Sequence, residues 1–330
     1  MALNSKIIIT LQQLKGIGTK TILKIANTVN QKIETYGDLC DFWLKQSGKL
    51  YEKHSAEDLS DAYKKAERLI EASKKEGIGV LSYFEPEFPT ILKNCINEDG
   101  KEDPVILLYY RGNLKALEKP GIAIIGTREP TANGIKAGEY FASEFAKENF
   151  NIVSGLAIGC DTTGHRGALN VGGTTTAFLA NGLDWNSIYP KENMELAKEI
   201  VSKGGLLLSE YPIGQMCNRY ALVARDRLQS ALSYATIAIQ TGIKGGTMHA
   251  VNTTLVTHKP LFMVDYKTEE DRKNEKVQGN IQLIAQGKAL PLRSDNIKDA
   301  INKIDVFRDR LNSRPKDCLL YTSPSPRDAH

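Results

Sequence analysis

The residues of this 330-residue chain best suited to chemistry are glycines and cations rather than nucleophiles. Four glycine-bearing turns each follow an apolar run and lead towards a helical pattern: Gly126-Thr127-Arg128, Ser154-Gly155, Asn181-Gly182 and Lys244-Gly245-Gly246-Thr247. Glycine lets an anion come close to the backbone, and the N–H groups at a helix N-terminus carry partial positive charge. A row of such turns at one end of a sheet makes a rim for phosphate. For any one turn, α/β geometry alone accounts for the glycine; the set is better explained by anion binding. Cations stand beside the turns: Arg128, Lys191 after Tyr189-Pro190, and the pair Arg225 and Arg227, which flank Asp226 ahead of an expected helix. A guanidinium suits two phosphate oxygens at once, and an ammonium acts as a point charge. Their competing role is a solvated face or an internal ion pair, with Asp226 or Asp161 the partner expected for Arg227. Neither a G-x-G-x-x-G fingerprint nor a Walker A sequence is present, which argues against tight NAD or ATP binding.

Catalysis has less support. Ser154, Asp161 and His165 have the residue types of a hydrolytic triad. However, Val153 precedes Ser154-Gly155, so there is no Gly-x-Ser-x-Gly elbow. Asp161 and His165 are four residues apart on one expected helix, so His165 is read as a structural histidine satisfied by Asp161. Cys40, Cys95, Cys160, Cys217 and Cys318 form no CxxC pair, and the histidines have no ligand spacing with them. No metal, cofactor or disulfide framework is therefore expected, and a cytoplasmic setting is the simpler reading. No apolar run approaches the roughly 18 residues of a membrane span, and no secretory signal is expected at Met1–Thr10. Lys and Arg exceed Asp and Glu by only 43 − 39 = 4, so an anion-binding surface must be a local patch.

The elements that must hold these residues fall into three regions. Residues 1–85 read as helical, with apolar spacing over 7–14, 22–29 and 59–70. Gly16-Ile17-Gly18, between the first two, has the core pattern of a helix-hairpin-helix. A purely structural hairpin is the favoured reading of it, over DNA contact. In residues 86–305 strands are expected at 105–110, 122–125, 151–155, 174–179, 206–209, 235–240 and 261–264. Helices are expected at 132–148, 161–169, 194–202, 248–257 and 297–304. Continuous apolar strands alternating with helices imply a Rossmann-like, doubly wound and mostly parallel α/β sheet, covered on both faces. Such sheets bind ligands beyond the carboxyl ends of their strands. Residues 267–276 read as a charged, solvated loop. The tail, 306–330, is expected to be disordered or non-native.

The motifs also occur in a telling order. Phe88-Pro89 is followed by Asp103-Pro104-Val105, Arg111-Gly112-Asn113 and Ile125-Gly126-Thr127-Arg128. Then come Ser154-Gly155-Leu156-Ala157, Asp161, His165, Gly167-Ala168-Leu169, Gly182-Leu183-Asp184, Tyr189-Pro190-Lys191, Ser209-Glu210-Tyr211-Pro212 and Arg225-Asp226-Arg227. This series, over about two-thirds of the chain, resembles the DNA-processing protein A family (DprA, also called Smf). The helical N-terminus is similar to the domain that often precedes the family's Rossmann-like domain. The resemblance implies single-stranded DNA binding, protection of incoming DNA and its delivery to the RecA recombinase in natural transformation, by a homodimer without catalysis. It also implies that Arg128, Lys191, Arg225 and Arg227 sit in the DNA-binding motifs. The chain departs from the family pattern at Ile158, where a basic residue is usual, at Asp226, where Asn is usual, and at Leu222-Val223, where Phe-Pro is usual. Those departures favour, as the alternative, a sensor of a nucleotide-derived ligand within the same superfamily. A third reading, a phosphoribohydrolase, wants an acid after Gly245-Gly246-Thr247, where Met248-His249-Ala250 stands.

Overall fold

The computed structural model of the chain describes residues 3–313. Five helices come first: α1 (Ser5–Gln13), α2 (Thr19–Thr28), α3 (Tyr36–Leu44), α4 (Lys49–Glu52) and α5 (Ala56–Lys75). Asn4 caps α1, while Thr35 and Ser55 begin α3 and α5 with capping boxes closed by Asp38 and Asp58. Ile7, Ile8, Ile9 and Leu11 are all buried, so α1 is enclosed on every side instead of presenting one apolar stripe.

The sheet begins at β1 (Gly79–Ser82), ahead of the boundary expected near residue 85. The short helix α6 (Thr90–Lys93) and β2 (Leu107–Gly112) follow. Then comes the alternating series: β3 (Gly121–Ile125), α7 (Ala132–Lys147), β4 (Asn151–Ser154), α8 (Cys160–Asn170), β5 (Thr174–Leu179), α9 (Met194–Ser202), β6 (Leu206–Ser209), α10 (Arg219–Leu232), β7 (Ser233–Ala238), α11 (Thr247–Val256) and β8 (Leu261–Val264). The chain continues through α12 (Glu269–Lys273), α13 (Gln278–Ala285), β9 (Leu290–Leu292) and α14 (Ile297–Asn312).

The nine strands lie in the order β1-β2-β6-β5-β4-β3-β7-β8-β9. Pairing is antiparallel only at β1–β2 and β2–β6, and parallel elsewhere. This is the mixed but mostly parallel α/β sheet that the alternating pattern implies. From β3 the chain winds outward through β4, β5 and β6, then crosses back to place β7 on the other side of β3. That reversal is the switch point at which such sheets open a crevice.

The helical region shares a core with the sheet. Ile22, Leu39, Leu59 and Ala66 belong to the same buried cluster as Leu107, Tyr109, Leu179 and Leu207. Burying one such aliphatic side chain stabilises by about 1.5–3 kcal/mol. Arg111 reinforces the junction, pairing with Glu76 at 3.3 Å and lying over the Trp185 ring at 4.1 Å.

Three sequence expectations need correction. Residues 267–276 are not wholly solvated, because Thr268 caps α12 and buried Asp271 accepts from Asn133. The last helix runs to Asn312 instead of ending at 304, and so enters the segment expected as tail. Its buried Ala300 and Ile304 hold it against the sheet, and the exposed continuation needs only helical propensity. Finally, Arg225 and Arg227 lie inside α10 instead of ahead of a helix, because Asn218 caps the helix before either arginine is reached. The rest of the tail, 314–330, lies outside the described residues. Among the described residues, no helix is long and apolar enough to cross a membrane.

Candidate phosphate-binding site

A cleft of about 410 Å³ opens at the carboxyl ends of β3 and β7. One wall is the β3–α7 turn, Gly126-Thr127-Arg128. The opposite wall is Lys244-Gly245-Gly246-Thr247, which enters α11, and the floor carries Asp161, Arg225, Asp226 and Gln229. Two of the glycines that line it are required by the backbone. A Cβ on Gly126 would lie 2.5 Å from Cys160 Sγ, and Gly245 holds φ at +140°. Gly246 caps α11 without a side-chain acceptor; the Met248 and His249 N–H groups turn back to the Gly245 and Gly246 carbonyls, which leaves the Thr247 end of the helix open to the cleft. Arg128 and Lys244 are both exposed at its edge, and among the described residues neither makes an ion pair. Two unpaired cations and an open helix N-terminus therefore converge on one cavity.

A smaller cavity of about 120 Å³ adjoins the cleft and shares Arg128, Ala157 and Arg225 with it. Its own walls are Gly155, Ile158, Ala180, Tyr189, Pro190, Glu192 and Leu222. They are largely apolar, and Tyr189 is exposed.

The structure brings together Gly126, Thr127, Arg128, Arg225, Lys244, Gly245, Gly246 and Thr247, with Gly155 next door. Several nominated groups are engaged elsewhere. Ser154 Oγ donates to the Ile124 carbonyl at 2.6 Å, the Gly155 N–H donates to Asp161, and the Thr127 N–H donates to the Gln240 carbonyl. Lys191 is exposed beside the smaller cavity, and its Nζ donates to the Asn186 carbonyl. Arg227 does not line the cleft. Two residues along a helix turn a side chain by about 200°, so Arg227 points away from Arg225, towards Glu210 and Asp103. It meets Glu210 with bonds of 2.8 and 2.9 Å and also pairs with Asp103. Its partner is thus neither Asp226 nor Asp161.

The expected Asp161–His165 bond is replaced as well. Asp161 sits in the first turn of α8 and turns back to accept the N–H groups of Gly155 and Ala157, at 3.0 and 3.2 Å. That leaves His165 to Thr175, 2.7 Å from its Nδ1. Thr175 Oγ1 already donates to the Ile152 carbonyl, so His165 Nδ1 is the donor in this pair. Burial pushes its pKa down to about 3. His165 is therefore no base at neutral pH.

Arg225 is held rather than free. Its guanidinium lies 3.2 Å from Asp226 and 3.9 Å from Asp161, and it donates to the Phe178 carbonyl at 3.1 Å. Burial raises both carboxyls, Asp226 to about 6, with the Arg225 charge opposing the rise. Sequence reasoning missed Gln229 entirely. It is buried and donates to Asp226 at 3.1 Å, and its place one turn beyond Arg225 on an expected helix was the only available signal.

Comparisons with known proteins agree with this architecture. A family model described as DNA recombination-mediator protein A matches residues 79–305. DNA processing protein DprA of Bacillus subtilis is 30% identical over 268 residues, spanning 81% of this chain and 82% of that protein. Protein Smf of Synechocystis sp. is 30% identical over 244 residues, and the match spans 73% of this chain but 58% of that longer relative. The X-ray structure of DNA processing protein A from Streptococcus pneumoniae matches with a TM-score of 0.67 at 26% identity, covering 88% of this chain and 95% of that one. DNA processing protein A of Helicobacter pylori, solved for its single-stranded DNA binding mode, matches with a TM-score of 0.57 at 30% identity, covering 70% and 96%. The family match spans the strands, turns and helices that build the cleft, and the chain belongs to the DNA recombination-mediator protein A (DprA/Smf) family.

Proposed function

We propose that the chain binds single-stranded DNA in the cleft between β3 and β7, protects it, and delivers it to a RecA recombinase. It does so as a cytoplasmic homodimer and without catalysing a reaction. The observation that carries this reading is the convergence of unpaired Arg128 and Lys244 on the uncapped N-terminus of α11. A phosphate between them meets two charges and a helix dipole. The adjoining apolar cavity gives a base a surface beside that phosphate, with Tyr189 at its mouth; stacking of this kind tolerates any sequence. A single strand can present a backbone phosphate and an unpaired base together, whereas a duplex keeps its bases stacked inside. Family membership and the Helicobacter pylori relative support the same ligand. The absence of catalysis is supported by His165, which is buried, neutral and turned to Thr175.

Fluorescence anisotropy with labelled oligo-dT tests the site. Arg128→Ala is expected to weaken binding about ten- to a hundredfold, as the loss of a charge-assisted hydrogen bond would. Parent-like affinity in folded Arg128→Ala and folded Lys244→Ala would place the DNA elsewhere.

A further inference from the structure

The cleft has two chemically different parts. Its rim is built for an anion, but its floor offers acceptors. The Asp226 side chain is 16% exposed and lines the cleft; its Oδ1 accepts from Gln229 Nε2 at 3.1 Å and forms an ion pair with Arg225 Nε at 3.2 Å, a contact that makes no hydrogen bond. Gln229 is 3% exposed, and its Oε1 is buried with no hydrogen-bond partner. The amide cannot be reversed to relieve this, because Oε1 would then face the Asp226 carboxylate. Arg225 does not offset the floor's charge. Its single positive charge is shared between Asp226 and Asp161, so the ionised floor carries a net negative charge.

A phosphodiester has no donor for these acceptors, and neither does a deoxyribose within a strand. A floor of this kind is costly beside a phosphate rim unless a ligand supplies hydroxyls to it. We infer that the cleft also takes a ribonucleoside monophosphate, with the phosphate at Arg128 and the α11 N-terminus and the ribose 2′-hydroxyl donating to Asp226. The inference rests on the phosphate-binding role of the rim and adds a sugar specificity to it. The cavity suits such a ligand, since pockets for small molecules begin at about 300 Å³. Open α/β sheets elsewhere use an acidic side chain near the switch point to hold a ribose hydroxyl. Here the acid comes from α10 instead of from a strand end, which makes its use at this position a property of this chain's Asp226.

Isothermal titration of the full chain with AMP, dAMP and inorganic phosphate at neutral pH reads the inference directly, because the two nucleotides differ only in the 2′-hydroxyl. AMP is expected to bind about tenfold or more tighter than dAMP, the effect of one hydrogen bond to a charged acceptor. Asp226→Ala is expected to bring AMP to the dAMP level. Asp226→Asn, which keeps the volume and a weaker acceptor, should fall between. Equal affinities in the parent overturn the inference without need of any variant, as does discrimination that survives Asp226→Ala. Competition against oligo-dT separates this from the DNA reading. If AMP and dAMP displace the oligonucleotide equally, the sugar specificity is wrong and the phosphate rim stands. If neither nucleotide nor phosphate displaces bound oligo-dT, both readings fail at this cleft.

Discussion

Asp226 should make this site sensitive to pH. Its folded pKa, about 6, lies above its ordinary 3.8 because burial disfavours the charge. It therefore subtracts stability as the pH rises between those two values, and Asp226→Asn should be the more stable protein above pH 6 but not below pH 3.8. Thermal melts of both proteins across that window read the difference. DNA affinity should follow the same group. Below its pKa the floor holds Arg225 against Asp161; above it a second carboxylate faces the cleft that Arg128 also lines. Oligo-dT affinity is expected to fall about tenfold as the pH rises through this range. A fall that persists unchanged in Asp226→Asn would take the effect away from Asp226. At this scale, Arg128 and the glycine turns were legible because charge and conformational need are local properties. The fates of Arg227 and His165 were not, since each was decided by a partner outside its own helix: Glu210 and Asp103 for the one, Thr175 for the other.

Among the elements, α10 does the most to position the site, and two features fix it. At its N-terminal half, Gly155 leaves room for Arg225: a Cβ there would lie 1.4 Å from Arg225 Nη1 and 2.7 Å from Asp161. Gly155→Ala must push the guanidinium out of the floor, so it is expected to lose both stability, by about 1–3 kcal/mol, and oligo-dT affinity. Unaltered melting and binding would show that the floor is softer than its contacts imply. At the C-terminal end, buried Lys259 donates to the Ser230, Ala231 and Ser233 carbonyls at 2.7, 3.0 and 2.8 Å. Lys259→Met removes the buried donor that these three carbonyls share, and denaturant unfolding should show a loss of about 2–4 kcal/mol. The parallel strands were readable as continuous apolar runs, because burial on both faces removes polar alternation. β1 and β9 were not: Gly79–Ser82 is half-exposed at an edge, and Leu290–Leu292 is three residues long with a proline inside. α10 was misplaced because its first turns, Arg219–Ala224, carry little apolar periodicity and owe their start to the Asn218 cap.

Across the whole molecule, the cleft lies at the switch point of one nine-stranded sheet, and the helical N-terminus packs against the β2–β6 end of that sheet through a shared core. This arrangement leaves the β3–β7 crevice open to a strand of DNA. Two copies of the chain would offer two such crevices. Light scattering at micromolar protein is expected to show a dimer, and a monomer both with and without oligo-dT would remove the homodimer from the account. The alternation of apolar strands with helices made the mostly parallel sheet legible, while the shared core of the two regions depended on contacts between elements distant in sequence, such as Leu3 with Ser82. The central claim concerns a phosphate rim that selects single strands, and one measurement meets it head-on: affinity for oligo-dT and for a duplex of equal length, each over a series of salt concentrations. The account predicts tighter binding of the single strand, a log–log salt slope of roughly −0.7 for each phosphate neutralised, and a slope shallower by about one such step in Arg128→Ala. Equal affinity for the two DNA forms, or binding that does not change with salt, would contradict it.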